Sequence, residues 1–227
     1  MKPKNLIIDC DDTLWENNRF FIEAHTRFVE LMVSLGYDRA QADPLLLRLE
    51  MENVPRYGYG ARSQAMSMAD VYRLLEPEPD GGVLDKIDAI GEGVFNHPVC
   101  LLPGVEEVIP RLSERYRMVM FTKGNVVEQK GKIDKSPIRN YFQHYKIVPE
   151  KDPETFRGML EEFGMEPHET WMIGDSPRSD VMPALACGVR SVYIPFSMTW
   201  GHEHQELPPS EHILTVEGFG NLAGLLL

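Results

Sequence analysis

The stretch NLIIDCDDT, residues 5–13, runs from a short apolar segment straight into three aspartates. NLIID at 5–9 reads as a buried strand, so the aspartates stand at its carboxyl end. Asp9 and Asp11 are two positions apart and can face the same side, with Asp12 turned away. A single aspartate there serves as a turn or helix cap as readily as it serves chemistry. A cluster is harder to place, because two carboxylates ~4 Å apart repel by about 4 kcal/mol at an effective dielectric near ~20. A cation or a shared proton has to offset that repulsion.

Four more short apolar runs read as buried strands: MVMFT at 118–122, YKIV at 145–148, TWMI at 170–173 and SVYI at 191–194. Amphipathic helical segments lie between the later ones, near 104–115, 125–135, 153–164 and 178–187. Apolar strands alternating with helices predict βαβ units and a parallel sheet covered on both faces, with ligands at the strands' carboxyl ends. Residues 15 to about 100 break the alternation and carry helical patterns only. The first of these helices is capped by Asn17 or Asn18 and stopped by Gly36; others are expected at 39–53, 64–75 and 83–95. After 195–212, a loop rich in Pro and His, ILTV and a short apolar helix return the chain to the core.

A second acidic group follows another strand. In WMIGDSPRSD, residues 171–180, Asp175 and Asp180 are five apart on a glycine-containing loop. One sheet edge would then gather Asp9, Asp11, Asp175 and Asp180. Hard oxygen ligands without His or Cys suit Mg²⁺; the plainer role for Asp175 and Ser176 is to cap the helix that follows. Thr122 ends the strand MVMFT, and Lys123, Gly124 and Asn125 open a helix, where a hydroxyl and free N–H groups form an anion cradle. Lys151 follows YKIV; on that edge it can balance the carboxylates and hold a transferred phosphoryl group.

DCDDT, the strand-terminal Thr122, Lys151 and GDSPRSD, in this order and spacing, resemble the four motifs of the haloacid dehalogenase superfamily. PGV at 103–105 and ALACG at 184–188 fit the same pattern, while TKGN and EKDPETF depart from its commoner forms. The resemblance covers essentially the whole chain. It implies an α/β fold with a Rossmann-like parallel-sheet core, residues 1–15 and 100–227, and an inserted all-helical cap domain, residues 16–99. It implies Mg²⁺-dependent hydrolysis of a small phosphomonoester. Asp9 would be the nucleophile that becomes an aspartyl phosphate, and Asp11 the acid and then the base. Thr122, Lys123, Gly124 and Lys151 would hold phosphoryl oxygens. Mg²⁺ would bind Asp9, the main-chain carbonyl of Asp11 and Asp175, with Asp180 a nearby carboxylate. Asp11 argues against a dehalogenase, which has no leaving alkoxide to protonate. A sugar-phosphate mutase, a 2-haloacid dehalogenase-type hydrolase and a non-catalytic binding module on the same fold are the alternatives. A phosphonate hydrolase would need a cap lysine, and 15–100 holds only Lys86.

The 227 residues carry 23 Lys plus Arg against 35 Asp plus Glu, a net charge of −12. That balance argues against nucleic acid or an anionic membrane as partner, since both require a positive face. No apolar run reaches the ~18 residues of a membrane span, the first residues do not read as a signal peptide, and three unpaired-looking cysteines fit a reducing, cytoplasmic setting. The expected partner is a small phosphorylated metabolite, and the chain is a monomer or homodimer. Arg56, Tyr57, Tyr59 and Arg62, on the glycine-rich turn between cap helices, either meet substrate or are ordinary surface and packing residues. His202 and His204 invite a metal reading, but without a third ligand a loop-wall role is preferred.

Overall fold

The computed structural model describes residues 3–227, apart from the side chain of His202. Six strands form one sheet: β1 (Asn5–Ile8), β2 (Arg117–Lys123), β3 (His144–Val148), β4 (Thr170–Gly174), β5 (Arg190–Tyr193) and β6 (Ile213–Thr215). Their order is β3-β2-β1-β4-β5-β6, and every pairing is parallel. This is the Rossmann strand order, which places β1 at the centre beside β2 and β4. Leu6 pairs with Met118 and Trp171, Ile7 with Val119 and Met172.

Alternation along the strands explains their continuous apolar runs. Leu6, Ile8, Met118 and Met120 point into one core, packed with α5 (Val105–Ser113), Ile133 of α6 (Val126–Lys135) and α9 (Leu222–Leu226). Ile7, Val119, Phe121 and Met172 point into the other, against α7 (Pro153–Phe163) and Ala184 of α8 (Met182–Ala186). A strand with both faces covered has no polar side to show. Gly104 opens α5 at φ 85°, where a Cβ would meet the backbone of Gly220 at 2.6 Å, so PGV at 103–105 marks both a left-handed turn and a close approach.

The chain divides into two compact units, one of Met1–Asn18 with Val99–Leu227 and one of Arg19–Pro98. The second is helical: α1 (Asn18–Ser34), α2 (Arg39–Tyr57), α3 (Ala61–Leu75) and α4 (Gly81–Phe95). Phe28, Met32, Leu46, Met68 and Ile87 form its core. Asp38 and Asp80 cap α2 and α4 by accepting from Ala40 N and Val83 N. The α3–α4 contact is close: a Cβ on Gly91 would lie 2.5 Å from that of Ala65.

Two helices differ from the sequence reading. The segment expected at 39–53 continues to Tyr57 through Pro44 and Pro55, because its stop is Gly58, whose positive φ turns the chain while its N–H bonds Val54 O. The helix expected near 178–187 is split into a π-helical turn, Pro177–Val181, and α8. The turn closes with Val181 N donating to Ser176 O at 3.2 Å. Among the described residues, no helix is long and apolar enough to cross a membrane.

Candidate active site

The ends of four strands contribute to one edge of the sheet. Asp9 follows β1, Thr122 and Lys123 end β2, Lys151 lies just past β3, and Asp175 follows β4. Asp180 comes from the π-helical turn, whose wide winding brings its carboxylate back to accept from Ser176 N at 3.0 Å. Carboxylate oxygens of Asp9, Asp175 and Asp180 lie within 4.8 Å of one another, all buried. Lys151 Nζ stands among them, 2.5 Å from Asp9 Oδ1 and 2.7 Å from Asp180 Oδ1, with its side chain 1 % exposed. Phe121 supports the ammonium at 5.2 Å from its ring centre. Thr13 donates its hydroxyl to Asp175 Oδ1 at 3.3 Å; the hydroxyl of Thr199 lies 3.4 Å from Asp175 Oδ2 and 2.8 Å from Phe196 O.

Three buried carboxylates against one ammonium leave an excess of negative charge that burial penalises. Desolvation pushes the Asp9 carboxyl up to about 7, against the pull of Lys151 and with Asp180 adding to the rise. The Asp175 carboxyl is driven well above its ordinary value by burial and then by Asp9 and Asp180. Burial opposes the charge of Lys151, yet Asp180 and Asp9 hold its ammonium protonated beyond the ordinary lysine range. The donor set fits a divalent cation: hard oxygens only, converging on one point, with charge that such an ion would neutralise. Among the described residues this is the one group of three His, Cys, Asp or Glu placed to hold a metal.

Asp11 stands apart from that cluster. Its Oδ1 and Oδ2 each lie 2.6 Å from Lys132 Nζ; Trp15 Nε1 donates to Oδ1 at 2.7 Å and Gln129 Nε2 to Oδ2 at 2.9 Å. Burial alone would raise this carboxyl, but Lys132 and the accompanying hydrogen bonds hold it below the usual value. The side chain of Asp11 is thus not one of the clustered carboxylates; only its main chain is left for the ligand role expected of it. Asp12, at φ 61°, accepts from the N–H groups of Asn17 and Asn18 and shapes the turn into α1; burial pushes its carboxyl up to about 7. Cys10 packs into the apolar core.

The stretch expected to be an open anion cradle is largely engaged within the protein. Gly124 N donates to Val148 O, and the N–H groups of Val127 and Glu128 bond the side chain of Asn125. Lys123 Nζ reaches Glu203 Oε1 at 2.5 Å and Ser179 Oγ at 2.8 Å. The hydroxyl of Thr122 accepts from Gln129 at 2.7 Å. Glu203 also accepts from Ser176 and Ser179 at 2.6 and 2.5 Å. Burial opposes its charge, but Lys123 and these donors bring its carboxyl down to about 2.

Gln129, Lys132 and Glu203 were not singled out from the sequence. The first two sit at i and i+3 on α6, where polar residues resemble a solvated face. Glu203 lies between His202 and His204, which drew attention instead; His204 is exposed, and the side chain of His202 lies outside the described residues. In the helical unit, Arg62 is exposed, Arg56 stacks on the Tyr57 ring, and Tyr57 donates to Asp70 at 3.4 Å.

The sequence profile of the haloacid dehalogenase-like hydrolases matches residues 3–188. A glyceraldehyde 3-phosphate phosphatase from Pyrococcus abyssi is 33% identical over 211 residues, covering 85% of this chain and 82% of the relative. Its namesake from Pyrococcus furiosus is 30% identical over 203 residues, covering 85% and 81%. A crystal structure of a haloacid dehalogenase-like family hydrolase from Xanthomonas campestris superposes with a TM-score of 0.85 at 30% identity, covering 99% of this chain and 95% of that one. With its parallel sheet and the acidic groups at its strand ends, this chain belongs to the haloacid dehalogenase-like hydrolases, and it is a hydrolase.

Proposed function

We propose that this protein hydrolyses a small phosphomonoester through an aspartyl phosphate formed on Asp9, with Mg²⁺ as cofactor. The observation that carries the reading is the buried group of Asp9, Asp175 and Asp180 around Lys151. Asp9, Asp175, Asp180 and the main-chain carbonyl of Asp11 would hold the divalent ion, which supplies charge neutralisation for the phosphoryl oxygens.

Lys151 orients the Asp9 carboxylate and offers an ammonium to the transferred phosphoryl group, and Thr122 offers a hydroxyl. A carboxylate oxygen of Asp9 attacks phosphorus; the P–O bond to the leaving group breaks, and Asp11 passes a proton to the departing oxygen. Asp11, now a carboxylate, takes a proton from water, whose oxygen attacks phosphorus and frees Asp9 and inorganic phosphate. The helical unit, Arg62 included, selects the leaving group. The Pyrococcus relatives are named for a three-carbon aldehyde phosphate, so short-chain sugar and polyol phosphates head the substrate panel.

The test is hydrolysis of p-nitrophenyl phosphate and a panel of phosphorylated metabolites, with and without Mg²⁺. Asp9→Asn is expected to remove turnover, by more than about a thousandfold, while melting as the wild type does. Retained turnover in that variant, or no hydrolysis of any phosphate ester by the wild type at adequate metal, would overturn the proposal.

A further inference from the structure

We propose that Glu203 is a positioning residue for the metal site: through Ser176 and Ser179 it fixes the turn that carries Asp175 and Asp180. This rests on the divalent-ion part of the reading above. Glu203 lies outside the four motifs, in a short 3₁₀ turn, Gly201–Glu203, of the loop that follows β5. Its Oε2 accepts from Ser176 Oγ at 2.6 Å and from Ser179 Oγ at 2.5 Å, and its Oε1 accepts from Lys123 Nζ at 2.5 Å. The lysine can only donate, so Ser179 Oγ accepts from it at 2.8 Å and passes its own hydrogen to Glu203. Ser176 Oγ likewise donates to Glu203 while accepting from Ser179 N at 2.9 Å. Each hydroxyl has one hydrogen to give, and both give it to the same carboxylate oxygen.

The two serines are chain neighbours of the acidic pair: Ser176 follows Asp175, and Ser179 precedes Asp180. Within the turn, Asp180 Oδ2 accepts from Ser176 N at 3.0 Å, which closes the turn on itself. Glu203 adds what the turn lacks, a tie to separate elements: the loop after β5 and, through Lys123, the end of β2. A buried ion pair kept for stability alone has little to recommend it, because desolvation cancels most of its attraction. Clamped across two serine hydroxyls it has a use at the metal. A π-helical turn is an uncommon winding, and relaxing it to the ordinary one would move Asp180 relative to Asp175. Mg²⁺ tolerates little departure from octahedral placement of its oxygens. Groups that orient metal ligands from behind commonly set affinity by about tenfold to a hundredfold.

The test measures Kd for Mg²⁺ by calorimetry and for Mn²⁺ by electron paramagnetic resonance, without substrate and well below the Tm of each variant. Asp175→Asn supplies the reference, a loss of binding through the ligand itself. Glu203→Ala is expected to weaken binding of both ions at least about tenfold. Glu203→Gln, which keeps an oxygen for the two serine hydroxyls, is expected to recover part of that loss. Lys123→Met separates position from bare charge: a clamp that has lost one partner binds the ions more weakly, whereas removing a cation from the neighbourhood would by charge alone tighten them. Ser179→Ala, which leaves the Lys123–Glu203 pair and the Ser176 hydroxyl in place, should weaken binding in milder form and serves if Glu203→Ala does not fold. Wild-type Kd in the Glu203 and Ser179 variants, whatever their Tm, overturns the positioning role and makes Glu203 a matter of stability only. Tighter binding in Lys123→Met overturns it as well. In either case a wild type that binds the ions, and an Asp175→Asn that does not, leave the metal reading standing; a wild type that binds neither ion overturns both.

Discussion

Gly174 ends β4 without a side chain for a steric reason. A Cβ there would lie 2.2 Å from Asp180 Oδ2 and 2.7 Å from the Asp180 Cβ, so the acidic side chain occupies the space that alanine would need. Gly174→Ala is expected to displace Asp180, cost about 1–3 kcal/mol of stability, and weaken divalent-metal binding at least tenfold. Denaturant unfolding and metal titration check the two effects; wild-type metal affinity in this variant would show that the placement of Asp180 is not needed. Glu203 gives a pH-dependent counterpart. Its folded carboxyl titrates near about 2, below its unfolded value, so its contribution is present above the unfolded pKa and lost as pH falls from there through about 2. Glu203→Gln is expected to cost a few kcal/mol at pH 7, with the gap to wild type closing as denaturation is repeated from pH 6 towards pH 3. A constant gap would show that the ionised Glu203 is not what Lys123 and the two serines depend on. The clustered aspartates and Lys151 were legible in the sequence because each follows an apolar strand. Lys132 and Glu203 were not, since their partners lie 121 and 80 residues away and nothing local tells which face of a helix or loop turns inward.

At the level of elements, α6 carries both residues that grip Asp11, and its start is fixed by Asn125, which accepts from Val127 N and Glu128 N. Asn125→Ala is expected to cost about 1 kcal/mol and to lower turnover by loosening the first turn that carries Gln129. Urea unfolding with parallel kinetics checks this, and an unchanged rate would separate the cap from the site. The four inner strands, β1, β2, β4 and β5, were readable because burial on both faces removes the polar alternation that otherwise blurs a short strand into a helix. The sixth, Ile213–Thr215, is three half-exposed or exposed residues at the sheet edge, and its ILTV signal marked only a return to the core. The π-helical turn was invisible, since Pro177–Val181 has an ordinary helical composition and its extra residue per turn answers to Asp180 and Ser176, not to periodicity.

For the molecule as a whole, the acidic cluster predicts linkage between folding and metal. Saturation at about a hundred times Kd adds about 2.7 kcal/mol, so Tm should rise with added Mg²⁺, and chelation should lower it and stop turnover. Without a cation, Asp9 holds its proton up to about 7 in the folded state, whereas the unfolded chain releases it near the ordinary aspartate value of 3.8. The cation-free protein therefore loses stability as pH rises across that window, and the rescue by Mg²⁺ should grow in the same direction. A Tm indifferent to metal at pH 8 would count against the cluster as a binding site. The central position of β1 carries a cost of another kind. Asn5 pairs with Arg117 on one side and with Thr170, 165 residues along, on the other. At about 5–20 residues per second, a ribosome takes on the order of ten to thirty seconds to deliver the second neighbour. Until then β1 keeps at least one edge unpaired, and the helices emerging in between have time to settle before the segments they interrupt can meet.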